Sequence, residues 1–226
     1  MKTDAKLLLP ENSAQGTNTK PNPFVRFTLE LLTKKGAHNL RKKPKIVDLG
    51  CGKLRHLKIL TAFTNNIILV DTNHQINRVQ KFEGTLSTMK DYVKKTYTTQ
   101  RIRILGIDEF EDRNENADII YSVAVMDAVL KKSRVQIVNS ACSNLRHMGF
   151  FVVIVPRNDS SILEHCKIEN KFEDGYFIRN RGQKKYTFYA NFRDHLPLLH
   201  IIQSKCFKLI HDNSTFRHIC WIFQKT

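Results

Sequence analysis

Ile46-Val47-Asp48-Leu49-Gly50-Cys51-Gly52 ends a short apolar run in an acid and a glycine turn, and helical periodicity follows from Lys53. Each residue type there answers a chemical need. Glycines let a backbone turn tightly and approach a ligand closely, and a helix beginning beyond such a turn offers free N–H groups to a polar group. An acid at a strand's C-terminal end faces the crevice of an open α/β sheet. A second acid, Asp71, closes the apolar run Ile67-Ile68-Leu69-Val70, where nucleoside-binding sheets present a carboxylate to ribose hydroxyls. The dinucleotide fingerprint G-x-G-x-x-G would place its third glycine at Arg55, and an arginine there argues against close helix–strand packing beside a pyrophosphate.

Positioning those acids requires a frame of alternating elements. A chain of 226 residues can bury one sizeable core, and two domains are not required. Residues 1–20 are polar and read as a mobile tail. Residues 21–226 read as a single domain: 21–44 a helix and basic linker, 45–156 the half carrying both acids, 157–226 an insertion, a helix and a hairpin. Asn22-Pro23 opens a helix in which Phe24, Phe27 and Leu31 recur at helical spacing, with Gly36 as its stop. Leu54, Leu57, Leu60 and Phe63 mark one face of the helix after the glycine turn, and a strand follows at 66–70. Ile76, Val79, Phe82, Leu86, Met89 and Val93 predict a long helix, interrupted or kinked near Gly84. Strands are predicted at 102–105, 118–122 and 150–155, and a helix from Lys131 to His147 stopped by Gly149. Residues 157–190 look irregular; a helix over 192–204 and strands near 206–211 and 216–223 complete the chain. This alternation predicts an α/β fold: a doubly wound, mostly parallel seven-stranded sheet with an antiparallel C-terminal hairpin and helices on both faces.

The composition narrows the partner. Lys+Arg 37 against Asp+Glu 21 gives a net charge of +16, unusual for an enzyme of small neutral metabolites. It favours a polyanion such as RNA or DNA, although a basic surface also serves solubility. The five cysteines (51, 142, 166, 206, 220) are scattered, odd in number and without C-x-x-C spacing. That pattern predicts neither a disulfide framework nor a zinc site, and a reduced, cytoplasmic setting. No stretch has the length of a membrane span, and the apolar run in MKTDAKLLLP is too short for a signal peptide. The nine histidines lack ligand spacing, and no metal is predicted.

Asp48, Gly50 and Gly52 form D-x-G-x-G, and this resembles motif I of the class I S-adenosylmethionine-dependent methyltransferases. Many members carry a third glycine where this chain has Leu54. The order of elements matches from about residue 22 to the C-terminus, and NLRHMGFFVVIVP is similar to the family's approach to its fifth strand. In that family the turn faces the methionine moiety and the second-strand acid binds the ribose. The resemblance implies S-adenosylmethionine as cofactor, held by Asp48, Gly50, Cys51, Gly52, Arg55, Asp71, Thr72, Asp108, Glu109 and Ser122. Asp108 follows the third strand, where the family brings an acid to the adenine amino group; the alternative is that 108–115 is an exposed acidic loop.

The family presents acceptor-side groups on the loop after strand four, here Ser122-Val123-Ala124-Val125-Met126-Asp127. It has neither the Asn/Asp-Pro-Pro-Tyr/Phe motif of amino-group DNA methyltransferases nor the Pro-Cys nucleophile of the cytosine C5 enzymes, which disfavours both. Asp127 is its one titratable residue: a candidate base, or a cap for the next helix. Arg55 would meet the cofactor carboxylate from the first turn of its helix or simply face solvent, and Cys51 reads as a small filler without a paired histidine. YFIRNRGQKKYTFY, residues 176–189, interleaves Arg179, Arg181, Lys184 and Lys185 with aromatics. Such a segment can neutralise phosphates and stack bases, or form a hairpin with inward aromatics and a solvated tip. Three functions stay open: a nucleic-acid methyltransferase, a methyltransferase of small molecules or proteins, and an inactive cofactor-binding protein on the same fold.

Overall fold

The computed structural model describes residues 20–35, 40–157, 167–179, 187–190, 192 and 195–226. The predicted tail and the proposed helix stop at Gly36 lie outside them. Helix α1 (Pro23–Lys35) starts as its sequence requires: the Asn22 side-chain oxygen accepts from the Phe24 N–H at 3.0 Å, with proline at the first helical position. Its buried face is Val25, Leu29 and Leu32.

The central sheet contains β1 (Lys45–Leu49), β2 (Asn66–Asp71), β5 (Arg101–Gly106), β6 (Ala117–Val123), β7 (Leu145–Pro156), β11 (Phe207–Asp212) and β12 (His218–Lys225). Their order is β11-β12-β7-β6-β1-β2-β5. The β1, β2, β5, β6 and β7 pairings are parallel, and β12 runs antiparallel to both β7 and β11. The chain winds outward from β1 to β2 and β5, then returns to β6 on the other side of β1. A crevice therefore opens at the C-terminal ends of β1 and β6, the switch point where such sheets bind ligands. The inner strands are apolar on both faces because both faces are covered. Helices α1, α2 (Leu57–Phe63), α3 (Asn73–Asn77) and α4 (Met89–Thr96) pack on one side around Leu57, Leu60, Ile76 and Met89. Helices α5 (Ile107–Glu111), α6 (Lys131–Asn144) and α7 (Leu196–Gln203) pack on the other around Phe110, Val138 and Ile202.

Five local expectations are corrected. The helix after the glycine turn begins at Leu57, not Lys53, because residues 52–55 form a turn in which Leu54 adopts φ 59°. The stripe from Ile76 to Val93 is not one helix. Between α3 and α4 lies a hairpin, β3 (Gln80–Phe82) and β4 (Thr85–Ser87), joined through Glu83 and Gly84 at φ 43° and 94°. Two positive-φ residues suit a two-residue hairpin turn, and Val79 and Leu86 of the supposed stripe stand 68% and 72% exposed. Helix α6 ends at Asn144, and Gly149 sits within β7, where a Cβ would lie 2.9 Å from the Arg146 carbonyl oxygen and 3.1 Å from that of Ala117. Backbone crowding, not helix termination, requires that glycine. The segment expected to be irregular holds a three-stranded antiparallel sheet, β8 (Lys167–Phe172), β9 (Gly175–Arg179) and β10 (Thr187–Ala190). Finally, Cys142 on α6 is disulfide-bonded to Cys206 before β11, so the cysteine pattern carries no argument for a reducing compartment. Among the described residues no helix is long and apolar enough to cross a membrane.

Candidate functional site

At the end of β1 the chain breaks into its glycine turn, with Gly50 at φ 78° and Gly52 at φ 51°. The Gly50 and Cys51 N–H groups both donate to the Val70 carbonyl, at 2.8 and 3.2 Å, tying the turn to β2. Asp71, the last residue of β2, completes the link. Its Oδ2 accepts from the Gly52 N–H at 2.7 Å and its Oδ1 from the Thr72 N–H at 2.8 Å. Burial raises the Asp71 carboxyl, those two N–H groups and the Arg78 charge pull it back, and Asp48 pushes it up. A carboxylate oxygen has two lone pairs, so each oxygen keeps acceptor capacity toward a ligand.

Asp48 is buried beneath the turn. Its Oδ2 has no hydrogen-bond partner, and His56 Nδ1, just before α2, lies 3.8 Å away. Cys51 is a buried filler whose thiol contacts Met89 sulfur at 3.7 Å; burial first, then Asp71 and Asp48, push its ionisation well up. Leu54 takes the left-handed conformation at the position where a third glycine is frequent in the resembling family, so the bend survives without it.

The loop after β6 forms the opposite wall. Ala124 adopts φ 53°, and Val125 folds over the turn so closely that a Cβ on Gly50 would lie 2.3 Å from Val125 Cγ2. Ser122 pairs with Leu49 in the sheet and its buried Oγ has no partner. Asp127 is buried with an unpartnered Oδ1; burial raises its carboxyl to about 6, against the opposing charges of Arg134 and Arg55. Its carbonyl accepts from the Ala190 N–H at 2.7 Å, joining the loop to β10. Arg134 on α6, fully buried, holds the loop from beneath. It donates from Nε to the Met126 carbonyl at 2.8 Å, from Nη2 to Val129 at 2.9 Å, and through both Nη atoms to the Asp174 carboxylate. Its guanidinium carbon stands 5.1 Å from the Phe192 ring centroid.

Asp48, Gly50, Cys51, Gly52, Asp71, Thr72, Ser122 and Asp127 therefore gather around one crevice. Arg55 is also near, but from the turn before α2, not from a helical first turn, and its charge reaches Asp127. Asp108 and Glu109 are exposed in the first turn of α5, a helix where a loop was the alternative, and Glu109 pairs with Arg113. Arg179 ends β9; Arg181, Lys184 and Lys185 lie outside the described residues. The β9–β10 pairing does form the hairpin alternative, with Phe188 buried and ring-to-ring with Phe177. His56, Arg134 and Asn73 went unnoticed in the sequence, and Val125 was named only as one residue of the acceptor-side loop. The Asn73 amide overhangs Gly106, where a Cβ would lie 2.6 Å from its Oδ1. The glycine at 50, with no side chain to obstruct a close approach, was the signal in the sequence that something could press on that turn. Among the described residues no group of three His, Cys, Asp or Glu side chains is placed to hold a metal.

No family model matches the chain. It is 24% identical over 166 residues to the Escherichia coli K12 protein named uncharacterized protein YmfD, spanning 74% of this chain and 73% of that one. Solved structures resemble it more extensively. The PH0226 protein of Pyrococcus horikoshii superposes with a TM-score of 0.64 at 13% identity, covering 91% of this chain and 92% of that one. An S-adenosylmethionine-dependent methyltransferase from Clostridium acetobutylicum gives 0.63 at 11% identity, covering 90% and 92%. Magnesium protoporphyrin IX methyltransferase from Synechocystis, with bound S-adenosylhomocysteine, gives 0.59 at 11% identity, covering 90% and 82%. The chain has the fold of the class I S-adenosylmethionine-dependent methyltransferases.

Proposed function

We propose that this protein is a methyltransferase that uses S-adenosylmethionine and acts on a nucleic acid. The observation that carries the cofactor reading is the bond from Gly52 N–H to Asp71, which sets a carboxylate with spare acceptor capacity beside a left-handed glycine turn at the switch point. Three buried oxygens around that crevice, Asp48 Oδ2, Ser122 Oγ and Asp127 Oδ1, lack partners, as residues awaiting a polar ligand would. The residues fit the cofactor. Asp71 would take the ribose hydroxyls and the 50–52 turn the methionine end, with Asn73 and Asp108 toward the base. The sulfonium supplies an activated methyl group, so the protein's share is mainly orientation. Val125 and Ala124 shape the acceptor wall, and Arg134 holds that loop still. Asp127, raised to about 6, is ionised at neutral pH and can take a proton from an acceptor N–H or O–H at its free oxygen.

The net charge of +16 supports a polyanionic acceptor, and Arg179, Arg181, Lys184 and Lys185, in the sequence of the insertion, are proposed as its contacts. A small-molecule acceptor is the second reading, favoured by the resemblance to an enzyme of magnesium protoporphyrin IX. Incubation with methyl-labelled cofactor and separate RNA, DNA, protein and small-molecule fractions decides. Label in RNA or DNA supports the reading; label only in the last fraction moves the second reading ahead. Calorimetry in which NAD binds and S-adenosylmethionine does not would overturn both.

A further inference from the structure

Away from the crevice, α4 and the outer edge of β5 enclose a groove of about 410 Å³ lined by Lys90, Val93, Lys94, Tyr97, Thr98, Gln100, Ile102 and Ile104. Its position follows from the topology. Strand β5 ends the sheet, so its outer backbone edge carries no strand, and α4 lies alongside with one face turned to that edge. Lys90, Val93 and Lys94 fall at i, i+3 and i+4, one stripe of the helix, and Tyr97 follows at its C-terminal cap. The floor is apolar: Val93 is buried, and Tyr97, Ile102 and Ile104 pack against the core on that side. The rim is cationic. Lys90 and Lys94 are exposed, and among the described residues no carboxylate stands within ion-pair distance of either. Of the neighbouring acids, Asp91 accepts from the Thr88 hydroxyl at 2.7 Å and Glu83 from the Tyr92 hydroxyl at 3.1 Å. Both keep their charge, and that of Glu83 acts on the Tyr97 hydroxyl, so the positive rim is carried by the lysines. Lys95, next in α4, and Arg101, the first residue of β5, are also exposed.

We infer that this groove is a docking surface for single-stranded RNA, with Lys90 and Lys94 on successive phosphates and a base against Tyr97. Lysines without an ion-pair partner beside an aromatic ring are the combination that tracks a phosphate backbone and stacks bases. A duplex presents its bases edge-on within grooves and cannot lay one on a recessed ring, which favours a single strand. The Thr98 hydroxyl and the Gln100 amide nitrogen, both of residues lining the groove, supply polar groups for a 2′-hydroxyl, the Gln100 Oε1 already accepting from the Thr99 hydroxyl at 3.0 Å. The inference rests on the nucleic-acid reading above, and places a second contact surface on the flank of β5, outside the methyl-transfer crevice.

The test is binding of fluorescein-labelled oligo-rU to the full chain over a range of salt, for the parent, for Lys90→Gln/Lys94→Gln and for Tyr97→Leu. Single strands lose about 0.7 log units of affinity per log unit of salt for each phosphate contact, so the double variant's slope should be shallower by about 1.4. Tyr97→Leu keeps apolar volume, and should weaken binding about tenfold with the slope unchanged. Lys205→Gln/Lys208→Gln removes the same charge from exposed positions at the other sheet edge and should leave the slope near the parent's. Equal slopes for the parent and Lys90→Gln/Lys94→Gln, or an equal loss in the control pair, would overturn the groove assignment. Equal binding of oligo-dT would overturn the choice of RNA. Calorimetry with S-adenosylmethionine on the same variants separates the cases: unchanged cofactor affinity with a lost slope change condemns the groove alone, whereas a parent that ignores both cofactor and oligonucleotide condemns the function itself.

Discussion

Asp71 does two things with one carboxylate. It pins the glycine turn through Gly52 and presents its remaining lone pairs to the crevice. Asp71→Ala should weaken S-adenosylmethionine by about 1–3 kcal/mol, the scale of a lost charge-assisted hydrogen bond. Asp71→Asn keeps the shape but sets an amide NH2 against the Gly52 or the Thr72 N–H, so it too should weaken binding; calorimetry on both variants checks this. Asp127 carries a different signature. Burial raises its folded carboxyl to about 6, above the ordinary value of an unfolded aspartate. The unfolded chain therefore releases that proton first, and folding stability falls as pH rises from about 4 to about 6. Above that window the cost of the buried charge is on the order of 2–3 kcal/mol. Asp127→Asn should thus stabilise the protein at pH 7.5 and change it little at pH 4, as urea unfolding at the two pH values would show, while methyl transfer falls. Equal transfer by the variant would return Asp127 to a purely structural role.

The elements around the crevice are held by contacts between neighbours far apart in sequence. The β1–α2 turn and the β6 loop meet at Gly50, where Val125 leaves no room for a side chain. Gly50→Val should abolish cofactor binding, both by that clash and by the left-handed φ of 78°, with the central sheet still formed by circular dichroism. Unimpaired binding would mean that the turn is only punctuation. The inserted sheet β8–β10 is tied to the same loop by Ala190, by the Arg134–Asp174 fork and by the Lys131 N–H, which donates to the Glu173 carboxylate at 3.1 Å. An acceptor that touches the insertion thereby touches the wall that carries Asp127.

At the scale of the molecule, the Cys142–Cys206 bond closes a span of 64 residues that includes the whole insertion. Chain-entropy arguments give such a loop about 4 kcal/mol, an upper figure because denatured chains keep residual structure. Reduction should lower the melting temperature, and a thiol assay on the denatured chain should gain two thiols after reduction. No gain would show that the two cysteines are unpaired in solution. The +16 charge acts at this scale too, steering any polyanion toward the chain before specific contacts form.

Much of the fold was legible because its signals are local. Asp48 and Asp71 each end an apolar run, and runs buried on both faces read as parallel strands. The order of elements followed, and with it the crevice where both acids meet. The stripe from Ile76 to Val93 misled because helical period is blind to a turn: Glu83 and Gly84 take positive φ, and Val79 and Leu86 of the stripe stay in solvent while Phe82 is buried. The insertion hid for the opposite reason, since β8–β10 draw their order from pairing with one another and from Phe188 in the core. Tertiary structure alone decided that Val125 covers Gly50, that Arg134 anchors the loop, and that Asp127 is buried with a free oxygen. Burial and backbone approach depend on residues brought together from distant parts of the chain, and no spacing along the sequence records them.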